Sequence, residues 1–236
     1  MKAIKATLPL LFIICVKLTA WGQIEIFSDH IKLGSAINSV ADELNLVISP
    51  DGNQIYFTRK NHPQNVGGTS DQGDIWVSQK NEDGEWLPAA NLKSVNDVGS
   101  NRIIGFMDAG RAMLVHAESG FGFSYLLNGK WLKPSPFKIP YFKSMSDELS
   151  GSISSDGRYL LFGMESFGSY GVEDLYMSRL KTDGSWTSAK NLGATINSGN
   201  QEITPFLAAD NKTLFFSCGM VFSVFFQITV LTCFSD

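Results

Sequence analysis

Apolar and polar residues alternate along this chain in short bursts, and each burst runs into a tight turn. The clearest burst is Ile48–Thr58, ISPDGNQIYFT, where β-prone runs flank Pro50-Asp51-Gly52. Such a pattern predicts a β-hairpin, because an Asp-Gly pair readily takes the left-handed backbone that a tight reversal needs. It recurs as SISSDGRYLLFG at Ser152–Gly163 and as FLAADNKTLFFS at Phe206–Ser217. A blurred copy, GFMDAGRAMLV, lies at Gly105–Val115. A second marker, Asp-Gly followed by tryptophan, appears at Asp83-Gly84 before Trp86 and at Asp183-Gly184 before Trp186. Asn128-Gly129-Lys130-Trp131 stands in for it once.

The hairpin glycines fall at Gly52, Gly110 and Gly157, with Asn211 in the fourth place. The period is about 50 residues and each unit has room for four strands, which is the pattern of propeller blades. In the first unit the expected strands are Leu44–Ser49, Gln54–Lys60, Asp74–Lys80 and Glu85–Asn91, with the Gly-rich loop Asn61–Gly73 between the pairs. The expected blades span about 34–92, 93–139, 140–192 and a partial 193–217. Leu33-Gly34-Ser35-Ala36-Ile37-Asn38-Ser39 closely matches Leu192-Gly193-Ala194-Thr195-Ile196-Asn197-Ser198, so Ile24–Leu33 reads as the closing strand of a repeat. Trp86, Trp131 and Trp186 recur at one blade position, where packing between blades is favoured over stacking on a sugar.

Two ends stand outside the pattern. Residues 1–22 combine Lys2 and Lys5, the apolar stretch Leu8–Val16 and Ala20-Trp21-Gly22. They read as a secretory leader with Gln23 as the new N-terminus, too short in its apolar part for a membrane span. Residues 218–236 are apolar and carry neither repeat marker, so the repeat array is expected to be cut off there.

Composition narrows the partners. The chain has 236 residues, 44% of them hydrophobic, enough for a core. Without the leader it carries 16 Lys+Arg against 23 Asp+Glu, a net charge of −7. This acid surplus argues against nucleic acid or an anionic membrane surface as a partner. Only Cys218 and Cys233 remain, so most of the fold cannot depend on disulfides.

The repeat units ISPDGNQIYFT, GDIWVSQKNEDGEW, EDLYMSRLKTDGSW and NLGATINSGNQEITPFLAADNKTLFFS resemble the WD40-like, TolB-like β-propeller repeat of exported bacterial envelope proteins. In that family the propeller is often joined to an OmpA-like domain. The resemblance covers about Leu33–Ser217. It implies an all-β propeller of four-stranded antiparallel blades, about four of them here and truncated at the C-terminus. It also implies location in the periplasm or at the outer membrane, and a role in binding or scaffolding. No OmpA-like segment follows the repeats, which leaves cell-wall anchoring without support.

Strand order places the Asp-Gly hairpins on one face. The longer connections, within blades and between them, lie on the other, where a rigid scaffold usually carries binding residues. Acidic residues recur there just before each first strand: Asp42 and Glu43, Asp147 and Glu148, and Glu202. They are candidates for holding a cationic ligand, against the favoured reading that each carboxylate accepts backbone hydrogen bonds where the chain crosses between blades. Asn101 interrupts the series. The loop Val66–Gly73 lacks the spacing of a phosphate-binding loop and reads as a flexible connection. No catalytic set emerges: His30, His62 and His116 are isolated, and no cofactor or metal is expected. A non-enzymatic module that binds protein or glycan is the leading expectation, with a propeller glycoside hydrolase or lyase as the alternative.

Overall fold

The computed structural model describes residues 32–117, 120–145, 149–219 and 227–232. Residues 1–31, and with them the expected leader and most of the expected strand Ile24–Leu33, lie outside the described set.

Four antiparallel sheets follow one another along the chain. The first contains β1 (Asp42–Ile48), β2 (Gln54–Lys60), β3 (Asp74–Gln79) and β4 (Ala90–Asn91). The second contains β5 (Arg102–Met107), β6 (Ala112–Ala117), β7 (Gly120–Leu127), β8 (Lys130–Trp131) and β9 (Ser135–Phe137). The third contains β10 (Gly151–Ile153), β11 (Tyr159–Met164), β12 (Asp174–Arg179) and β13 (Lys190–Asn191). The fourth contains β14 (Gln201–Leu207), β15 (Thr213–Gly219) and β16 (Gln227–Thr232). Each sheet pairs its strands in chain order, except that β9 of the second pairs with β7 beside β8, and the first strands β1, β5, β10 and β14 stand side by side in that order. These are the blades of a β-propeller. Six residues of the atypical tail therefore act as the third strand of blade four, paired with β15 from Thr213 to Cys218.

The hairpins owe their shape to a side-chain weave. In blade one the Ser49 hydroxyl donates to Asp51 Oδ1 (2.5 Å) and accepts from the Gln54 N–H (2.9 Å). Ser154 and Asp156 repeat this in blade three at 2.6 Å, with Tyr159 donating to Ser154 Oγ at 2.9 Å. Gly52 and Gly157 both have φ above +70°, which an L side chain tolerates poorly.

The fourth strands are shorter than the alternation suggests. In blade one the expected strand Glu85–Asn91 contracts to a bridge between Lys80 and Trp86 and to the two residues of β4. Between them the Leu87 N–H still donates to the Gln79 carbonyl at 2.9 Å, but the Leu87 carbonyl is taken by a hydroxyl: Ser78 Oγ donates to it at 2.5 Å. Ser124 to Leu132 and Ser178 to Thr187, each 2.6 Å, do the same in blades two and three.

The core is divided among the blade junctions. Tyr56 and Ile75 of blade one meet Ile103, Met113, Val115 and Trp131 of blade two. Leu114 and Phe121 meet Leu160, Phe162 and Trp186, and Leu161 and Leu175 meet Leu214 and Phe216. Trp131 and Trp186 are 7% and 2% exposed, and Trp131 Nε1 donates to the Tyr56 hydroxyl of the preceding blade at 3.1 Å. Both tryptophans are thus inter-blade packing residues. No helix among the described residues is long and apolar enough to cross a membrane.

Candidate functional site

The four first strands enclose a cavity of about 870 Å³. Toward the tight-turn face its wall is apolar, with Ile48, Pro50, Phe106, Ile153 and Phe206. Toward the crossing face the lining is mixed, with Asn45, Arg102, Ser150, Glu173, Gln201 and Thr204 among Leu44, Ile103, Leu149 and Ile203. Backbone geometry helps set this rim. Asn45 and Thr204 occupy equivalent bulge positions in β1 and β14, and both have φ of 51°. Asparagine accepts the left-handed region with little cost, whereas a β-branched threonine there is strained. Neighbouring bonds hold it: the Thr204 N–H donates to Ser150 Oγ (2.8 Å) and its hydroxyl to Ser217 Oγ (2.9 Å). Arg102 is buried, with Nε donating to Ser100 Oγ at 3.0 Å. Glu173 accepts from Gln201 Nε2 at 2.6 Å.

The acidic candidates do not share one environment. Asp42 is exposed at the start of β1. Glu43 Oε1 accepts the Ser39 N–H (3.0 Å), the Ser39 hydroxyl (2.6 Å) and Arg59 Nε (2.9 Å). Arg59 in turn lies 4.3 Å over the Trp76 ring and donates to the Ile37 carbonyl at 2.5 Å. Glu202 accepts the Ser198 N–H (3.1 Å), the Ser198 hydroxyl (2.5 Å) and the Cys218 thiol (3.1 Å). Asn101 takes the Asp97 N–H at 3.3 Å in the corresponding place. Asp147 and Glu148 fall outside the described residues.

A second polar network went unread in the sequence. Asp74 Oδ2 accepts from the Val66 N–H (2.7 Å) and from Asn91 Nδ2 (2.5 Å). Asn91 Oδ1 accepts from Asn96 Nδ2 at 3.0 Å, and Asn96 grips the Ile75 backbone, N–H at 2.8 Å and carbonyl at 2.9 Å. Asp174, Asn191 and Asn197 repeat the chain of bonds, with Asn197 gripping Leu175 at 2.8 and 3.1 Å. The signal was present: an Asp opening the third strand, and Asn-Leu followed by a second Asn, four residues after Leu92 and five after Leu192. Asp74 Oδ1 has no hydrogen-bond partner, and burial holds this carboxyl above its ordinary pKa.

The loop expected to be flexible is tied down. Asn65 is buried, donating to the Arg59 carbonyl (2.8 Å) and accepting from Trp76 Nε1 (3.0 Å), and Asp71 Oδ2 accepts the Gly67 N–H (2.8 Å). His62 stands edge-on to Trp76, and His116 is packed beside Phe121 and Phe142. Burial, then the nearby Arg102 charge, pushes His116 down to about 4. Among the described residues no group of three or more His, Cys, Asp or Glu could hold a metal ion.

Exposed apolar side chains occur around the second blade's outer hairpin (Tyr125, Leu126 and Leu127), beside the fourth strands (Leu87 and Leu132), along the cavity strands (Leu46, Ile48 and Phe206) and on the crossing face, where the most exposed aromatic rings lie. Val40 and Val98 lie in the connections before β1 and β5, Tyr141 and Met145 before β10, and Val66, Phe167 and Tyr170 on the loops between second and third strands. Tyr141 is 88% and Phe167 98% exposed.

No protein-family model matches this chain, and no curated protein sequence does. Among solved structures the chain is similar to a putative TolB from Agrobacterium tumefaciens, with 14% identity over 84% of this chain and 79% of the other, TM-score 0.44. It is similar to an endo-arabinase from Bacteroides thetaiotaomicron, with 14% identity over 86% and 78%, TM-score 0.45. A puromycin hydrolase shares 10% identity over 83% of this chain and 28% of its own length, TM-score 0.42. At these identities and scores none of the three assigns a function.

Proposed function

We propose that the chain is a non-enzymatic, exported β-propeller module of the bacterial cell envelope that binds a partner protein or glycan through its crossing-loop face. The observation that carries this reading is the set of exposed apolar side chains on that face, above all Tyr141 and Phe167. Aromatic rings held in water by an ordered scaffold gain by covering either an apolar protein surface or a sugar face. The leader-like residues 1–22 support export, and the acid surplus disfavours polyanionic partners. A glycoside hydrolase normally needs two carboxyl groups about 5–10 Å apart across the scissile bond. Glu173 is the one carboxylate among the described residues that line the cavity, and it is already bonded to Gln201.

The test is a binding screen of purified envelope glycans by calorimetry, together with a photoreactive side chain placed at Phe167 to capture a protein partner in cells. The double variant Tyr141→Ser, Phe167→Ser should abolish the binding found while leaving the melting temperature unchanged. Turnover of a polysaccharide that Glu173→Gln eliminates would overturn the reading in favour of a hydrolase or lyase.

A further inference from the structure

The hairpins that join third to fourth strands are one device built in each of the first three blades. Ser78, Ser124 and Ser178 each donate to a fourth-strand carbonyl, and Trp86, Trp131 and Trp186 follow the turn. That shared frame lines up the residues between, and blade two departs from its neighbours there. The residue after the serine is Gln79 in blade one and Arg179 in blade three, but Tyr125 in blade two. Two positions further on, Asn81 and Lys181 correspond to Leu127. Tyr125, Leu126, Leu127 and Leu132 are 51%, 40%, 57% and 44% exposed. Apolar side chains that stand in water where the sister hairpins carry polar ones are not explained by the packing that the blades share.

Charge departs at the same place. The hairpin of blade one carries Glu82, Asp83 and Glu85, and that of blade three Asp183. Blade two has Asn128-Gly129 at its tip and Lys130 where Glu85 and Ser185 stand in the others. No acid occurs between Glu118 and Asp147, a stretch that holds Lys130, Lys133, Lys138 and Lys143 in an otherwise acid-rich chain. All four lysines are exposed, and no ion pair among the described residues involves them. Register then distributes the apolar groups over both sides of the hairpin. Leu126 pairs with Trp131 and Leu127 with Lys130. Side chains alternate along a strand, so Leu126 shares the side of Trp131, while Tyr125 and Leu127 lie on the other.

From this we infer that the outer hairpin of blade two docks on an anionic lipid surface, its leucines entering the interface and its lysines facing the headgroups. Leucine, tyrosine and lysine in one small patch are the composition of an interfacial anchor, and the lysine charge complements the lipid. Two features favour lipid over an acidic protein segment. Apolar side chains on both sides of one exposed hairpin are covered together by immersion, whereas a protein laid against the blade covers one side. Pro134 and Pro136 lie on the outer edge next to the hairpin and lack the N–H donors that an added strand would use. The acid surplus of the remaining chain repels such a surface, so the contact is confined to this edge. It is independent of the crossing face, which lies at the other end of the strands.

The experiment is co-sedimentation of the full chain with vesicles, each variant keeping the parent's termini so that their contribution cancels. Vesicles of about 30% phosphatidylglycerol in phosphatidylcholine should capture the chain at about 50 mM salt, and pure phosphatidylcholine should capture it at least about tenfold less well. Lys130→Gln with Lys133→Gln should weaken capture about twentyfold, from about fivefold per lysine. Leu126→Ser with Leu127→Ser should weaken it about tenfold, and Lys181→Gln in the matching hairpin of blade three should leave it unchanged. As a check that does not rest on lost binding, an environment-sensitive dye on Leu127→Cys, with the native cysteines replaced by serine, should shift to the blue on the anionic vesicles. The same dye on Asp83→Cys should not. No capture by anionic vesicles overturns the inference, as does capture that is equal on phosphatidylcholine or indifferent to the hairpin variants. If vesicles stay unbound while Leu127→Ser abolishes either self-association in light scattering or binding of polyglutamate, the hairpin serves a second copy or an acidic protein and the lipid reading falls.

Discussion

Replacing Asn197 by alanine tests whether the grip between successive blades is a main source of cohesion. Asn197 is 2% exposed, and its Oδ1 is the partner of the Leu175 N–H near the start of β12 in blade three. Leu175 is fully buried, so after truncation that N–H has neither protein nor water to turn to. An orphaned buried donor costs about 1–3 kcal/mol. The Leu175 carbonyl keeps the Leu192 N–H at 3.0 Å, so losing the Asn197 amide there removes a bond without orphaning the acceptor. That loss, with the bond to Asn191, adds about 1 kcal/mol. The expected destabilisation is about 2–4 kcal/mol, or about 5–15 °C in a chain of this size. Asn38→Ala provides the contrast: Asn38 holds the matching place in a turn on the Gly34 carbonyl, but among the described residues its amide donates to the Leu33 carbonyl and to no strand, so truncation should cost about 0.5 kcal/mol or less. Urea melts of both variants with the parent check the argument. It is refuted if Asn197→Ala melts within about 0.5 kcal/mol of the parent, or if Asn38→Ala falls as far.

Two further outcomes follow from particular side chains. His116 is held neutral when folded, at about 4 against 6.5 unfolded, so the unfolded chain binds the extra proton between those values and stability falls as pH drops through that window. The contribution is at most about 3 kcal/mol; His116→Phe should flatten the pH dependence of urea melts between pH 6.5 and 4, and an unchanged slope would count against it. Thr204→Asn places at the β14 bulge the residue that β1 carries at Asn45, relieving a left-handed β-branched side chain at the cost of the bond to Ser217. A net gain of about 0.5–1 kcal/mol is expected in thermal melts, and a loss would show that the hydroxyl pair outweighs the strain.

How much of this could be read from the chain depended on distance along it. Hairpins at Gly52 and Gly157 were legible because a turn is decided by four adjacent residues. The inter-blade tryptophans were legible because they recur. The network from Asp74 through Asn91 to Asn96 was not, since its members are separated by 17 and then five residues and each looks like an ordinary polar side chain. The fourth strands were over-read because alternation cannot distinguish a paired backbone from one whose carbonyl is taken by Ser78 or Ser178. The acidic pair at Asp42-Glu43 concealed two situations: one carboxylate faces water while the other is locked to Ser39 and Arg59. The Ser-x-x-x-Glu spacing of Ser39 to Glu43, repeated from Ser198 to Glu202, was the legible sign of that difference.

The grip of Asn197 on Leu175 has a consequence for the order of events as the chain is made. Blade three has all its own strands once Asn191 has emerged, yet the Leu175 N–H near the start of its third strand waits for a residue six positions later, in the turn that leads into the next blade. No blade with this grip is finished by its own residues. A nascent chain arrested at Asn191 should therefore hold a frayed third blade that becomes resistant to protease only when Asn197 arrives, so assembly advances in overlapping steps, each one sealed by the beginning of the next.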